Sequence, residues 1–148
     1  MTLSIATGGG VSLGLGGLAG LGWNLLKQQK YAEADPILRE SLAVLEKNMP
    51  GAWVTCYTQT LIGGALLGQK KYGEAEPLLV DGYRGMKKTE KTQGHQGPDR
   101  LPEHVTDTLE RLVQLFDETN KPVEAARWRE ELKSFKKDTE AHSTPKGK

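Results

Sequence analysis

Apolar positions follow two rhythms along the chain. Near the start the spacing is two. Leu3 and Ile5 alternate with small polar residues, and so do Val11, Leu13 and Leu15, with Gly8-Gly9-Gly10 between the two runs. Alternation, a glycine turn and renewed alternation is a hairpin signal. An isolated hairpin is marginal in water, so the arm would need something to pair with; a floppy arm stays open beside it. From Leu18 onward the spacing becomes helical. Leu109, Leu112, Val113 and Phe116 share one face of a helix predicted over about 102–118. Ala125, Trp128, Leu132 and Phe135 share one face of a helix over about 123–137. Pro102 and Pro122 open these two helices, where a missing N–H is harmless.

The helical part repeats itself. LLKQQKYAEADPIL at Leu25–Leu38 returns as LLGQKKYGEAEPLL at Leu66–Leu79, identical at nine of fourteen positions and offset by 41 residues. A weaker copy, FDETNKPVEAARWR, runs from Phe116 to Arg129, a further 50 residues on. The extra length falls around Gln93–Pro98, where Gly and Pro mark a loop. Each copy predicts two helices joined by a tight turn: about 18–29 and 31–48, then a helix opened by Pro50-Gly51 and ending near Gly68 followed by one from Tyr72, then the pair above. Pro36 and Pro77 stand at matching places early in second helices, where they bend or tighten the first turn.

These residues resemble a tetratricopeptide repeat. That family places a small residue in the first helix and an alanine twelve positions later, where the two helices cross. Gly22 and Ala34 have this spacing, and so do Gly63 and Ala75; in the third copy Val113 stands at the small position while Ala125 remains. Tyr31 and Tyr72 match the aromatic ahead of the second helix, with Pro122 in the third copy. Small residues matter there because helix axes come within about 8–10 Å only when the contact side chains are short. The period is similar to the long-helix variant of kinesin light chains and of repeat tails of bacterial Ser/Thr kinases. The resemblance implies an all-α solenoid of antiparallel helix pairs, with repeats at about 18–48, 52–90 and 102–139 inside a domain over 18–139. A glycine-rich arm (1–17) precedes it and a polar tail (140–148) follows.

In such a stack the first helices line the concave face. The positions opposite the core stripe are Ala19, Trp23 and Lys27, then Tyr57, Thr60 and Gly64, then Glu110, Gln114 and Asp117. The resemblance implies a groove there for a peptide or helix, with Trp23, Lys27, Tyr57, Thr60, Gly64, Glu110 and Gln114 as contact residues and the aromatics as anchors. Lys27 and Arg111 are the nearby cations, while Glu110 and Asp117 oppose an anion. A clamp for a terminal carboxylate is therefore not expected.

Composition narrows the chemistry further. The chain has 148 residues, one cysteine, three histidines and a formal net charge of +1. That balance supplies no bulk drive toward nucleic acid. One cysteine excludes an internal disulfide framework. No charged side chain precedes Lys27, yet the uncharged segment lacks the basic start of a secretory signal, and its glycines and length disfavour a membrane span. A cytoplasmic location is expected. Gly14–Ala19 fits G-x-G-x-x-A, but helix pairs follow it where a dinucleotide fold needs a second strand. His95, His104 and His142 have no metal-ligand spacing, and Cys56 reads as a small buried thiol. Arg84, Lys87, Lys88 and Lys91 read as cations matched to a helix C-terminus. No cofactor, metal or catalytic group is expected.

Three functions remain: a non-catalytic protein-interaction scaffold, a self-assembling subunit joined through residues 2–22 and the solenoid ends, or a regulatory segment of a larger signalling protein. The last helix carries a polar outer face (Arg127, Glu130, Glu131, Lys133), whereas the first is bare of charge and so reads as a liability or an interface.

Overall fold

The structure is a computed structural model, and residues 14–93 and 102–143 are described. They form six helices: α1 (Gly14–Lys27), α2 (Tyr31–Asn48), α3 (Trp53–Gly68), α4 (Tyr72–Gln93), α5 (Pro102–Glu118) and α6 (Pro122–Ser143). The described chain is all-α. Every helix packs on the next in sequence, and α1 also meets α3 as α3 meets α5. Helix α1 begins four residues before the expected start at Leu18. Gly14 and Leu15, expected in a strand, are helical instead; the hairpin expected over residues 2–13 lies outside the described residues. Helices α2 and α4 both run on through Pro36 and Pro77, whose rings stand on their exposed side.

The 41- and 50-residue offsets recur in the backbone. Gln29, Lys70 and Asn120, one per copy, take positive φ of 62°, 63° and 59°. After each, an N–H reaches back five residues to a helix carbonyl: Lys30 to Leu25 at 2.9 Å, Lys71 to Leu66 at 2.9 Å, Lys121 to Phe116 at 2.8 Å. This is the closing bond of a Schellman turn, which satisfies carbonyls the helix end would leave open. The next helix then starts with an identical bond in all three copies, from Ala34, Ala75 and Ala125 to Lys30, Lys71 and Lys121, each 3.0 Å. So one turn geometry folds each helix pair back on itself.

Within the first two pairs, a glycine faces a buried leucine. A Cβ on Gly63 would lie 2.7 Å from Leu79 Cγ, and one on Gly22 would collide with Leu38 in the same way. Both leucines are fully buried. The side chain nearest each glycine is the leucine one turn beyond Ala34 or Ala75, and both alanines are fully buried. Seating each leucine removes apolar surface worth about 2–3 kcal/mol. The third pair lacks this socket. Val113 stands at the glycine position and Arg129 at the leucine position, and Arg129 pairs with Asp117 across α5 and α6.

Neighbouring pairs are linked through the turn tyrosines. The ring of Tyr31 lies 2.5 Å from where a Gly68 Cβ would be, at the end of α3. One repeat on, the Tyr72 hydroxyl donates to Glu118 Oε1 at 2.7 Å, at the matching end of α5. The core is one cluster that runs through all six helices, from Ala19 and Leu26 to Leu112, Phe116 and Ala125. The apolar side chains of α1 turn inward: Ala19 and Leu26 are buried, and Leu18, Leu21 and Leu25 are half-buried.

Two glycine-to-alanine substitutions should move stability in opposite directions. Gly20 has nothing within 4 Å of a Cβ, so Gly20→Ala should raise the free energy of unfolding by about 0.5–1 kcal/mol through helix propensity alone. Gly63→Ala should lower it by about 1–2 kcal/mol because the added carbon overpacks Leu79. Urea unfolding followed by circular dichroism measures both.

Candidate functional site

The odd-numbered helices bring a chain of rings together. Trp23 of α1 sets its edge against His104 of α5, with centroids 4.9 Å apart. His104 stacks on Tyr57 of α3 at 4.6 Å, and Tyr57 stacks on Trp53 at 5.2 Å. A charged latch closes over this ladder. Trp23 Nε1 donates to Asp107 Oδ2 at 2.9 Å, and Lys27 Nζ pairs with the same oxygen at 3.4 Å. Lys27 also lies 5.3 Å from the Trp23 ring centroid. The indole thus ties α1 to α5 across α3, over 84 residues of sequence.

That bridge changes the role of several expected contact residues. Tyr57 and Thr60 are buried beneath it rather than lining an open groove. The Thr60 hydroxyl donates to the Tyr57 carbonyl at 2.6 Å and lies 3.4 Å from the Thr108 hydroxyl. Trp23 is half-buried, and Ala19 is buried in the core. Glu110 and Asp117 turn to the other side of α5, toward Lys136 and Arg129 of α6. Gln114 and Lys27 stay exposed, with Gln114 bonded to Glu118 Oε2 at 2.9 Å. Asp107 reaches Trp23 and Lys27 of α1 and Arg111 lies on Gly64 of α3, whereas Glu118 accepts from Tyr72 of α4 and from Gln114. Helix α5 packs on α3, α4 and α6.

Gly64 is a socket for Arg111. A Cβ on Gly64 would lie 2.8 Å from both Cδ and Nε of Arg111, so only glycine lets the guanidinium stem lie on α3. Burial lowers the Arg111 pKa, and the carboxylate of Asp107, with Glu110 beside it, opposes that shift. An arginine stays charged even so. Its Nη1 is buried with no hydrogen-bond partner among the described residues. A buried, unpaired donor of this kind costs about 1–3 kcal/mol, more when charged.

The even-numbered helices hold a second cluster. The Tyr83 hydroxyl of α4 donates to Glu131 Oε2 of α6 at 2.6 Å, and Lys87 Nζ reaches the same oxygen at 3.1 Å. Trp128 sets its edge on Tyr83 at 5.5 Å. Burial and the Glu131 carboxylate push the Tyr83 hydroxyl far above the ordinary phenol range. The Tyr83 hydrogen bond holds the Glu131 carboxyl below its ordinary value, assisted by Lys87 and opposed by burial. Elsewhere, Cys56 is half-buried against Gly85, and burial raises its thiol pKa, which disfavours the nucleophilic thiolate. No group of three or more metal-ligating side chains occurs among the described residues, and no helix there is long and apolar enough to cross a membrane.

No protein-family model matches the chain, and no curated protein matches it either.

Trp23→Phe keeps the ring but removes the indole donor. It should cost about 1–2 kcal/mol, because Asp107 loses a charge-assisted bond. Asp107→Asn should cost less, since an amide oxygen still accepts; paired unfolding curves compare the two. The Glu131 linkage has a definite sign. Its carboxyl is lowered when folded, so its stabilisation is complete above the ordinary value of 4.5 and fades as pH falls through the lowered one. Glu131→Gln should flatten the acid limb of a stability–pH profile there and leave the alkaline side of that window parallel to the parent.

Proposed function

We propose that the chain is a tetratricopeptide-like helical-repeat scaffold that does no chemistry and holds a partner protein segment on the face of α1, α3 and α5. The threefold turn geometry supports the solenoid: three Schellman turns with left-handed residues at Gln29, Lys70 and Asn120 stand at the sequence offsets. The turn tyrosines give each pair the same reach to the next. Nearest-neighbour contacts of this sort are the signature of repeat proteins.

The observation that carries the binding face is Arg111. Arg111 is half-buried in a glycine socket and its Nη1 has no acceptor among the described residues, so a partner's acceptor that reaches the guanidinium would satisfy it. Asp107 already shares its oxygen between Trp23 and Lys27. The two acids expected to repel an anion, Glu110 and Asp117, are engaged on the α6 side. A side-chain or terminal carboxylate of a partner segment would supply what Arg111 lacks, as a bidentate pair. The segment would run from Lys27 past Arg111 to Gln114.

Capture of binding partners on tethered full-length chain tests this. Arg111→Met and Lys27→Gln together should reduce the recovered partners about tenfold, while helicity is retained. Recovery of the same partners at equal strength would move the binding face elsewhere. Trp23→Ala and Tyr57→Ala are poor probes here, because both rings belong to the internal ladder.

A further inference from the structure

Between α4 and α6 lies a cavity of ≈ 450 Å³. Five cations line it: Arg84, Lys87, Lys88 and Lys91 from α4, and Arg127 from α6. One carboxylate, Glu131, lines it with them, which leaves a local surplus of four positive charges on a chain whose formal net charge is +1. Tyr83 and Trp128 form its aromatic wall. Glu131 is already held by the Tyr83 hydroxyl and by Lys87. Glu90, whose charge reaches Tyr83, and Asp81, three residues before Arg84, are further acids on α4.

Helix electrostatics account for only part of this gathering. The dipole favours cations in the last turn, and its effect falls off beyond it. Lys91 stands in the last turn of α4, but Arg84 and Lys87 stand further back. Arg127 stands beyond the first turn of α6, so the dipole does not account for its place either. Arg84–Lys88 and Lys87–Lys91 are like charges four apart, which destabilise a helix. Arg84, Lys91 and Arg127 have no hydrogen-bond or ion-pair partner among the described residues. Cations from two helices thus meet at one hollow, and helix-end electrostatics does not account for Arg84, Lys87 or Arg127.

The geometry points to a binding site in this cavity for a compact linear polyphosphate, held by Arg84, Lys87, Lys91 and Arg127. Two arginines can fork onto phosphate oxygens and the lysines act as point charges, which suits several anionic groups in a small volume. The cavity has the size of a small-molecule site. The polyphosphate could be free or carried by a nucleotide; in the second case Trp128 offers a face to the base. This site stands apart from the Arg111 face, and the two are tested separately.

Isothermal titration calorimetry on the full chain in low-salt buffer decides it, with inorganic tripolyphosphate in one arm and ATP in the other. One-site micromolar binding that weakens with added salt is expected. Arg84→Gln and Arg127→Gln should each cost about tenfold, and both are exposed, so circular dichroism should be unchanged. Lys133→Gln removes a cation from α6 outside the cavity and should leave affinity intact. Equal affinity in the two arms assigns recognition to the phosphates alone. Tighter ATP binding that falls to the tripolyphosphate level in Trp128→Phe assigns the excess to the base. The proposal is overturned if neither anion binds, if Lys133→Gln weakens binding as much as the cavity variants, or if a Glu-rich peptide binds the hollow and tripolyphosphate does not.

Discussion

Bare backbone is what this molecule is built around. At several close helix contacts, one helix has no side chain. Leu38 and Leu79 fill the spaces over Gly22 and Gly63, Tyr31 fills the space at Gly68, and Arg111 fills the space at Gly64. Glycine inside a helix costs roughly 1 kcal/mol relative to alanine. The cost is offset where a large side chain then loses its water against the exposed backbone. Closure of the first two pairs, the Tyr31 contact between pairs and the placement of Arg111 each rest on such a socket. The third pair, which lacks one, is joined by the Arg129–Asp117 ion pair and by the Ala125 crossing instead.

The turns set the direction in which these sockets are used. A left-handed residue after α1, α3 and α5 sends the chain back along its own helix with little variation between copies. None of the three is glycine, so each carries some backbone strain, which the closing bonds to Leu25, Leu66 and Phe116 oppose. Repetition of one turn is what places Tyr31 and Tyr72 at matching positions of the following pair.

Charge is divided between the two sets of helices. On the odd-numbered side a single carboxylate, Asp107, is shared by an indole and a lysine, and it lies one turn before Arg111. On the even-numbered side Glu131 is shared by a phenol and a lysine, beside further cations. In both places one carboxylate oxygen is shared by two internal donors, and an arginine stands close by. That common arrangement explains how a chain with nearly balanced charge presents two local surpluses of positive donors.

Much of the architecture was legible in the order of residues. The helical rhythm and the offsets of 41 and 50 located α2 to α5 and the start of α6 to within a few residues, because apolar spacing and turn chemistry are local properties, whereas α6 runs six residues past its expected end. The start of α1 was not legible: the segment from Gly14 to Leu15 satisfies a period of two as well as a helix, and only packing against α2 and α3 selects between them. The Leu38 and Leu79 contacts were missed for a related reason, since spacing shows which face a residue occupies and not where a second helix crosses it. The candidate site depended most on tertiary structure. Trp23 and Lys27 were visible as first-helix residues, but Asp107 and His104 gave no signal of their own, and Arg111 was noted only as a nearby cation. Their meeting is decided by how far α1 and α5 close over α3, a distance summed over three helix packings and written at no single position of the chain.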